Sequence, residues 1–566
     1  MNELVYNVPE MRDLREMMTR SVRDYPDNVA FLFKRGERVI EISYDRAMRE
    51  MICLATYLNS LGLEGKKVAV IGKNSYDWAL TYLAVCCGVG VILPIDKELK
   101  SHEVQNILDI SKAAAVIYAP EVKKTLDECT GDFKRLSTAD FPEFKRVGQT
   151  LLDAGDRSYD RHHVDPFALG ILLFTSGTTG VAKGVMLSQN NIMSDVISVR
   201  KVISLSPEDR SLSVLPLHHT YECMAGFLTM LYGGASIAYN ESLRTIPADL
   251  QLYSPTIFIG VPLLFENMMA GIIKKYRAIK GGAAVFAALK TIARPLGTEA
   301  RRKLFPSVHK FFGGKLRRLV CGAAALNPET FKNFELFGFE VHVGYGLTET
   351  SPVCMMHGDF YRNPDDIGML LPGISAQIVD PDKNGVGELA VKGGNVMLGY
   401  YENPEETEKV MRDGWFYTGD LAQQKENGAF KIVGRCKNMI VVDNGKKVFP
   451  EELEYYLEED KFVKEALVCS QTAEDGRVTI CARLFPDYDA VNEALIEREI
   501  YPDDPGYTDA VKDMMRDAVL RANHKLPHYK MVKLMAVRTA EFDKTTTKKI
   551  RRNAPENHAD ELFPIA

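Results

Sequence analysis

The sequence predicts an α/β fold: a large N-terminal domain of stacked, mostly parallel sheets with helices, and a small α+β C-terminal domain. Two observations predict it. The 566 residues exceed the size at which one hydrophobic core stops growing, and short β-prone runs alternate with stretches of helical periodicity, as in parallel sheets covered by helices. The predicted strands are 68–72, 115–118, 171–175, 212–215, 256–260 and 319–322.

The pattern changes at about residue 367, where strands become shorter and are separated by turns such as Asp-Lys-Asn-Gly at 382–385. We interpret 367–436 as a small β-barrel-like subdomain within a large domain of residues 1–436. Residues 437–566 form the predicted C-terminal lid domain, in which 463–471 and 477–486 are expected strands.

Composition excludes several classes of function. A formal charge of −6 over the whole chain is nearly balanced, which argues against a nucleic-acid binder. The ten cysteines are scattered, and the one close pair, Cys86 and Cys87, is adjacent rather than spaced as in a zinc or redox motif. We therefore expect neither a structural zinc nor a nucleic-acid partner.

The N-terminal residues alternate in charge and lack the apolar core of a secretory signal, which predicts a cytoplasmic protein. The most apolar run, 79–95, is interrupted by Gly88 and Gly90 and is shorter than the roughly 20 residues that span a bilayer. We predict that it is a core helix followed by a buried strand.

A loop after the strand at 171–175 has the composition of a phosphate site. Glycine lets backbone N–H groups approach an anion closely, hydroxyl groups add donors, and lysine adds charge. A flexible surface turn is the alternative, and a Walker A loop is excluded because Ala182 precedes Lys183 where that loop requires glycine. The candidate binding residues are Thr175, Ser176, Gly177, Thr178, Thr179, Gly180 and Lys183.

This loop resembles the T-S-G-T-T-G-x-P-K-G phosphate loop of the adenylate-forming superfamily of acyl-CoA synthetases, adenylation domains and luciferases. Ala182 stands where most members have proline, a change that affects loop stiffness more than anion binding. The resemblance covers nearly the whole chain and implies ATP as a co-substrate.

The segment 344–350 predicts a nucleotide and metal site. A tyrosine between glycines can lie along a purine, and a carboxylate at a loop tip can bind Mg²⁺. The segment resembles the family's Y-G-x-T-E motif. By that match Tyr345 packs on adenine, Thr348 contacts the α-phosphate, and Glu349 binds Mg²⁺. Gly344 and Gly346 are further candidate ATP-binding residues.

Two further motifs imply ribose and hinge contacts. The segment 415–420 resembles the family's ribose motif and assigns Asp420 to the ribose hydroxyls, which a carboxylate can accept together. The segment 434–438 resembles the hinge motif, which assigns Arg435 to ribose and Lys437 to the pivot between domains. Asn438 stands where most relatives have aspartate.

The space between adenine and the acyl group is predicted from small residues. Gly322, Ala323 and Ala324 resemble the family's G-G-A-P-L strand end, although a tightly packed turn would look the same. His219 lies at the matching position of the P-L-x-H motif, which places it at the carboxylate pocket.

The C-terminal segment 541–552 resembles the family's P-K-T-x-x-G-K-I-x-R motif and implies Lys549 as the catalytic lysine that stabilises charge on the α-phosphate. Lys548 replaces the usual glycine, so either lysine could hold that role. A solvated basic tail is the alternative. By resemblance, Gly445 lies on the CoA side of the site.

The predicted reaction activates a carboxylic acid, most consistent with a long-chain fatty acid, to acyl-AMP and transfers the acyl group to CoA. The apolar and basic insert between residues 261 and 322 resembles long-chain synthetases, and we expect it to form an acyl tunnel or to rest on a membrane surface. An ordinary amphipathic helix on the domain surface is the alternative. Three alternatives stay open: loading a separate acyl carrier protein, a catalytically weak nucleotide-binding protein, and a luciferase-like oxygenase.

Overall fold

The computed structural model describes residues 5–176, 182–279, 281–442, 446–472, 477–544 and 550–565, without the side chains of Ser176 and Ala182. The chain forms two compact units. The first contains residues 1–377, 390–417 and 425–431, and the second contains 378–389, 418–424 and 432–566.

Twenty-seven strands are present in the described residues. The first fifteen are β1 (Val29–Arg35), β2 (Arg38–Ser43), β3 (Lys67–Ile71), β4 (Val91–Ile95), β5 (Ala115–Tyr118), β6 (Lys134–Ser137), β7 (Leu169–Ser176), β8 (Ala182–Ser188), β9 (Arg210–Ser213), β10 (Ser236–Tyr239), β11 (Ile257–Gly260), β12 (Arg318–Cys321), β13 (Glu340–Gly346), β14 (Val353–Met356) and β15 (Met369–Leu370). The remainder are β16 (Ile374–Val379), β17 (Val386–Gly393), β18 (Gly399–Tyr400), β19 (Met411–Arg412), β20 (Trp415–Gln424), β21 (Phe430–Arg435), β22 (Ile440–Val441), β23 (Lys447–Val448), β24 (Val463–Thr472), β25 (Val478–Pro486), β26 (Leu534–Val537) and β27 (Phe563–Pro564).

The α-helices of the first unit are α1 (Leu14–Asp24), α2 (Tyr44–Ser60), α3 (Tyr76–Gly88), α4 (Ser101–Ser111), α5 (Lys123–Asp127), α6 (Phe141–Asp153), α7 (Ser158–Arg161), α8 (Gln189–Val202), α9 (Thr229–Tyr232), α10 (Ile246–Tyr253), α11 (Pro262–Arg277), α12 (Gly282–Ala293), α13 (Thr298–Leu304), α14 (Pro306–Phe311), α15 (Pro328–Leu336) and α16 (Pro404–Val410). The second unit contains α17 (Pro450–Glu458), α18 (Tyr488–Ile496) and α19 (Tyr507–Asn523). A π-helix, Glu222–Leu228, leads directly into α9.

The first unit contains two large, mostly parallel sheets. The nine-stranded sheet has the order β15-β14-β13-β12-β11-β9-β10-β1-β2 and is parallel from β13 to β1. The seven-stranded sheet has the order β18-β8-β7-β4-β3-β5-β6, with β8 and β18 antiparallel at one edge. The predicted α/β class with stacked parallel sheets is confirmed.

Helix α3 and strand β4 show how the sequence encodes this core. Ser75 caps the helix by accepting a hydrogen bond from the Trp78 N–H, and nearly every following side chain is buried. A helix that is apolar on all faces belongs inside a large domain. The run 79–95 is therefore a core helix followed by a buried strand, as the sequence predicts.

The second unit has its own core. Its four-stranded sheet has the order β24-β25-β26-β27, and β24 pairs with β25 in an antiparallel register. Side chains of α17, α18 and α19, among them Leu453, Val491 and Met515, pack against it. This is the predicted α+β organisation of the C-terminal region.

The chain passes from one unit to the other within strands of a five-stranded sheet, in the order β16-β17-β20-β19 with β21 beside β20. The predicted β-rich region after residue 367 corresponds to these strands. The predicted domain bounds, 1–436 and 437–566, stay a prediction, as does the mobility of the C-terminal domain.

No helix in the described parts of the chain is both long and apolar enough to cross a bilayer. The insert after β11 forms α11 to α14, and its apolar residues, including Phe265, Met269 and Phe305, join the core of the nine-stranded sheet. The cytoplasmic location and the peripheral membrane contact stay predictions.

Candidate functional site

Parallel pairing places several predicted site segments at one edge of the nine-stranded sheet. Strands β9, β11, β12 and β13 run in the same direction, so their carboxyl ends share an edge. The segments that carry His219, Gly322 and Tyr345 follow β9, follow β12 and end β13, respectively. In open α/β sheets this is the edge at which ligands bind.

The strand end at Gly322 has room for backbone only. A Cβ atom at Gly322 would lie 2.7 Å from the Tyr221 ring, whose hydroxyl donates to the Val320 carbonyl at 3.1 Å. Ala323 has a φ of 72°, a left-handed conformation that costs an alanine about 1–2 kcal/mol, and Ala323 and Ala324 are both exposed. The segment is a narrow, open surface lined by methyl groups.

The turn after β13 is held by its own backbone. A Cβ at Gly346 would lie 1.7 Å from the Pro352 carbonyl oxygen, so only glycine fits. The Thr350 hydroxyl accepts from the Leu347 N–H at 3.0 Å and donates to the Pro352 carbonyl at 2.9 Å. This fixes the short 3₁₀ turn that carries Thr348 and Glu349, both half-buried.

The described ends of the predicted phosphate loop belong to two paired strands. Strands β7 and β8 pair antiparallel, with Thr175 opposite Lys183, and both residues are half-buried. Four predicted members lie outside the described residues, as does the side chain of Ser176: Gly177, Thr178, Thr179 and Gly180.

Lys183 is connected to Glu349 through Tyr400. Strand β18 pairs with β8 so that Tyr400 lies opposite Val185. The Lys183 ammonium lies 5.2 Å from the centre of the Tyr400 ring, and the Tyr400 hydroxyl donates to Glu349 Oε1 at 2.9 Å. The structure therefore brings one end of the predicted phosphate loop and the predicted metal-binding carboxylate around a single aromatic ring.

Glu406 is the anionic partner of Lys183. Its carboxylate forms ion pairs with Lys183 and Lys409, and their hydrogen bonds lower the pKa of Glu406 to about 2. Burial, reinforced by the neighbouring Glu349 charge, raises the pKa of Tyr400 well above its ordinary value. Tyr400 is therefore a neutral hydrogen-bond donor. An anion of higher charge could displace Glu406 as the partner of the Lys183 ammonium.

The segment with His219 links the two sheets of the first unit. The Asn74 side chain, after β3, donates to the Leu215 carbonyl at 2.6 Å and accepts from the Leu217 N–H at 3.0 Å. His218 Nε2 lies 3.4 Å from Asp96 Oδ2, and the rings of His218 and His219 have centres 4.2 Å apart. The carboxyl ends of β3 and β4 thus meet that of β9 beside the predicted carboxylate pocket.

In the second unit, the structure brings together the two predicted ribose ligands. Asp420 on β20 is buried, and Arg435 at the end of β21 is exposed. Arg435 Nε lies 2.9 Å from Asp420 Oδ1. The pair presents a carboxylate and a guanidinium side by side, which suits a group with vicinal hydroxyls.

The hinge motif lies in a short 3₁₀ turn, Cys436–Asn438, where Lys437 is exposed. Asn438 replaces the family's aspartate, and its amide donates to Glu451 Oε1 at 2.7 Å at the start of α17. An aspartate would place two carboxylates together there, so asparagine fits this neighbour better. The role of Lys437 as a pivot stays a prediction.

Lys548 and Lys549 lie outside the described residues, but both ends of their segment are fixed. Lys544 pairs with Ile550 in an isolated antiparallel bridge. The buried Asn557 side chain accepts from the Asp543 N–H at 2.7 Å and donates to the Asp543 and Arg551 carbonyls. Hydrogen bonds therefore hold together the residues on either side of 545–549. Gly445, predicted on the CoA side, also lies outside the described residues.

Comparison with known proteins agrees with this geometry. The family model described as "AMP-binding enzyme" matches residues 18–401. The chain belongs to this family. It is therefore an AMP-forming, adenylate-forming acid–thiol ligase that activates the carboxyl group of an acyl substrate.

Curated relatives extend over most of the chain. Long chain acyl-CoA synthetase 1 of Arabidopsis thaliana is 26% identical and covers 95% of this chain and 90% of the relative. The chloroplastic long-chain-fatty-acid–[acyl-carrier-protein] ligase AEE15 of the same plant is 25% identical and covers 82% of this chain and 75% of the relative.

Among solved structures, the anthranilate CoA ligase AuaEII in complex with anthranoyl-AMP has a TM-score of 0.75 at 18% identity, covering 98% of both chains. At that identity the likeness shows the fold alone, and it confirms the predicted adenylate-forming architecture.

Sequence reasoning missed four residues that contact or support predicted site segments. They are Tyr221 beneath Gly322, Tyr400 and Glu406 beside Lys183, and Asn557 at the base of the lysine segment. Only Tyr400 stands in a recognisable local pattern, because Gly399 is followed by two tyrosines and then by Asn403, which caps α16. Tyr221 and Glu406 contact residues distant in sequence, and Asn557 bonds the nearby Asp543 and Arg551.

Glu222 is a further buried carboxyl behind the site. It begins the π-helix, is 1% exposed, and accepts from the Ser213 hydroxyl at 2.6 Å, while Oε2 has no hydrogen-bond partner among the described residues. A Cβ on Gly226 would approach Glu222 Oε1 to 2.7 Å, so the glycine makes space for the carboxyl group. Burial raises the pKa of Glu222 to about 8.

The raised pKa predicts a pH-dependent stability. Between its ordinary value of 4.5 and about 8, the folded state holds a proton on Glu222 that the unfolded state has lost, so this group makes the enzyme less stable as the pH rises. Glu222→Gln removes that contribution. We expect the Tm of Glu222→Gln, measured relative to the wild type by calorimetry, to rise steadily across this pH range.

Glu497→Gln, at an exposed position after α18, is the matched control and should show a difference from the wild type that is constant with pH. A constant difference for Glu222→Gln as well would contradict the assignment of a protonated buried carboxyl.

Proposed function

We propose that the enzyme converts a long-chain fatty acid to its acyl-CoA, forming acyl-AMP and pyrophosphate from ATP before transferring the acyl group to CoA. The single observation that carries the ATP-site assignment is the arrangement of Lys183, Tyr400 and Glu349 around the end of the β7–β8 hairpin. The proposal of a long acyl chain is supported by the names of the relatives, Long chain acyl-CoA synthetase 1 among them.

In this proposal the triphosphate lies along the hairpin tip, and Lys183 exchanges its ion pair with Glu406 for the phosphate oxygens. Such an exchange is favourable because a triphosphate carries several negative charges where Glu406 carries one. Tyr345 and the Gly322 segment hold adenine, while Asp420 and Arg435 bind the ribose hydroxyls.

Glu349 fits a magnesium site. It offers hard carboxylate oxygens at a turn fixed by Gly346 and Thr350, and Mg²⁺ binds through one or two carboxylates together with substrate phosphates. When bound there, Mg²⁺ would neutralise charge on the phosphates. The Tyr400 hydroxyl orients the carboxylate by its hydrogen bond to Oε1.

The first half-reaction is an in-line displacement. A carboxylate oxygen of the acid attacks the α-phosphorus of ATP, the bond to the bridging oxygen breaks, and pyrophosphate leaves. Lys549 and Thr348 stabilise the charge that develops at the α-phosphate, and positioning of the two reactants supplies much of the rate. His219 lies at the end where the acid's carboxylate would bind.

In the second half-reaction the CoA thiol, having lost its proton, attacks the acyl carbon of the mixed anhydride and AMP leaves. Gly445 and the hinge at Lys437 are proposed to serve this step. The acyl chain would lie among the helices of the 262–311 insert, whose apolar residues continue the core of the nine-stranded sheet.

An acyl carrier protein is the second candidate acceptor, because the plant relative AEE15 is named as a ligase for that carrier. Both acceptors present the same reactive group, a pantetheine thiol. The chemistry of the first half-reaction is the same for both.

A substrate panel tests the proposal. We expect pyrophosphate release with palmitate to exceed that with acetate or benzoate by about 100-fold or more in kcat/KM, because each buried methylene contributes about 0.8 kcal/mol. A preference for benzoate would contradict the long-chain assignment. If a thioester forms only with the carrier protein, that protein rather than CoA is the acceptor. If no acid supports ATP–pyrophosphate exchange, a nucleotide-binding role without catalysis is favoured.

Tyr400→Phe tests the central arrangement. Loss of the hydrogen bond to Glu349 should lower kcat for ATP–pyrophosphate exchange about tenfold, since a hydrogen bond to a charged group contributes roughly 1.5–3 kcal/mol. Tyr401→Phe is the matched control, because its hydroxyl bonds Lys67 instead. Equal losses in both variants would show that Tyr400 does not act through Glu349.

Replacement of the terminal lysines assigns the catalytic group. Lys549→Ala should suppress acyl-AMP formation at least about 100-fold while leaving thioester formation from supplied acyl-AMP nearly unchanged. Lys548→Ala is its neighbour control. A larger loss of acyl-AMP formation in Lys548→Ala than in Lys549→Ala would assign the catalytic role to Lys548. Equal losses of both half-reactions in Lys549→Ala would show that Lys549 does not act specifically in acyl-AMP formation.

A further inference from the structure

A pair of cysteines lies outside the proposed ATP and acyl sites. Cys469 on β24 and Cys481 on β25 occupy directly opposed positions of the antiparallel pair, and their sulfur atoms are 3.0 Å apart. The other eight thiols, at positions 53, 86, 87, 129, 223, 321, 354 and 436, are also free cysteines. Opposed positions on paired strands bring the two Cβ atoms within the range that a disulfide spans after a small adjustment.

The surroundings of Cys469 favour a thiolate. Arg483, on the same face of β25, donates from Nη1 to Cys469 Sγ at 3.0 Å. The hydrogen bond from Cys481, together with the charges of Arg483 and His558, lowers the pKa of Cys469 to about 6. The thiolate is the nucleophilic form of cysteine.

Cys469 also differs from the other cysteines in its exposure to solvent and in its thiol pKa. Cys469 and Cys436 are the two cysteines that are not buried. Burial raises the pKa of Cys436 to about 11 and raises that of Cys86 and Cys87 further, so those sulfurs remain protonated thiols near neutral pH. Cys469 thus combines partial exposure with a stabilised anion, which are the two properties that govern oxidation of a thiol.

We propose that Cys469 and Cys481 form a thiol–disulfide switch that a peroxide oxidises. The Cys469 thiolate attacks one peroxide oxygen, the O–O bond breaks, and the sulfur becomes a sulfenic acid. The leaving hydroxide takes up the proton that the Cys469 thiol had lost and becomes water. The Cys481 thiol then attacks the Cys469 sulfur and a second water leaves, so that two thiols and one peroxide give one disulfide and two waters. A thiol reductant reverses the change.

The switch is connected to the segment that follows the predicted catalytic lysine. The Arg483 side chain is 6% exposed overall, and it also donates from Nη2 to the His558 carbonyl at 3.1 Å, while the His558 ring bonds the Arg552 carbonyl. Disulfide formation removes the negative charge beside Arg483 and leaves a buried cation with one fewer partner. Residues 550–560 are therefore held less firmly in the oxidised form.

Peptide mapping of the full-length enzyme tests the switch. Trypsin cleaves after Lys464, Arg477 and Arg483 and so places the two cysteines on separate peptides, 465–477 and 478–483. After treatment with hydrogen peroxide and alkylation of free thiols, we expect these two peptides to be joined in most molecules, with loss of two hydrogens, and to separate after dithiothreitol. Absence of the joined peptide while Cys436 is oxidised would overturn the proposal.

Three variants separate the steps. Cys481→Ser should stop at the sulfenic acid of Cys469, which dimedone traps, and Arg483→Met should slow disulfide formation about tenfold with the pair retained. Cys436→Ser, the matched control, should oxidise at the wild-type rate. Unchanged oxidation of Arg483→Met would remove the guanidinium from the mechanism.

Hydrogen–deuterium exchange tests whether oxidation loosens residues 550–560, which follow the predicted catalytic lysine. Residues 550–560 should exchange faster in the oxidised protein and return to the original rate on reduction. Equal exchange in the two forms would refute the link to that segment.

Discussion

The parallel alignment of β9, β11, β12 and β13 is the constraint on which the site in the first unit depends. Parallel strands deliver every following loop to the same edge of the sheet, so segments separated by more than a hundred residues meet without special contacts between them. At this edge, two positions lie so close to neighbouring atoms that only glycine fits. Gly322 has the Tyr221 ring beside it, and Gly346 has the Pro352 carbonyl beside it, so neither position can hold a side chain.

Next to Glu349, residues of β8, β18 and α16 balance the local charge. Glu406 neutralises Lys183, and the neutral Tyr400 hydroxyl donates to Glu349 rather than competing for a proton. Such an arrangement keeps a cation and a carboxylate ordered and separated by an aromatic ring. In the proposed function, ATP binding requires Lys183 to exchange its ion pair with Glu406 for the phosphates, while the Tyr400–Glu349 hydrogen bond is kept.

In the second unit, asparagine side chains supply hydrogen bonds to backbone groups and to a carboxylate. Asn557 satisfies three backbone groups at the base of the 545–549 segment, and Asn438 satisfies a carboxylate of α17 where an aspartate would repel it. The departure from the family motif at Asn438 is therefore accommodated by a local hydrogen bond. Arg483 connects the cysteine pair to the same region through His558.

The sequence by itself determined the fold class, the positions of the major strands, and the family. Hydrophobic periodicity reports local structure, and the glycine, hydroxyl and lysine pattern at 175–184 reports a chemical task that few other loops share. Glu349, Asp420 and Arg435 were named from such short patterns. Their roles stay proposals, because a motif specifies residue type and order without specifying what binds.

Only the tertiary structure decided which residues stand beside those motifs. Tyr400 lies more than two hundred residues from Lys183 in the chain, and Cys469 faces Cys481 only because β24 and β25 pair in one register. Shifting that register by one residue would turn the two thiols to opposite faces of the sheet. Local patterns do not encode such contacts, because strand order, register and the burial of charge are fixed by the packing of the whole chain.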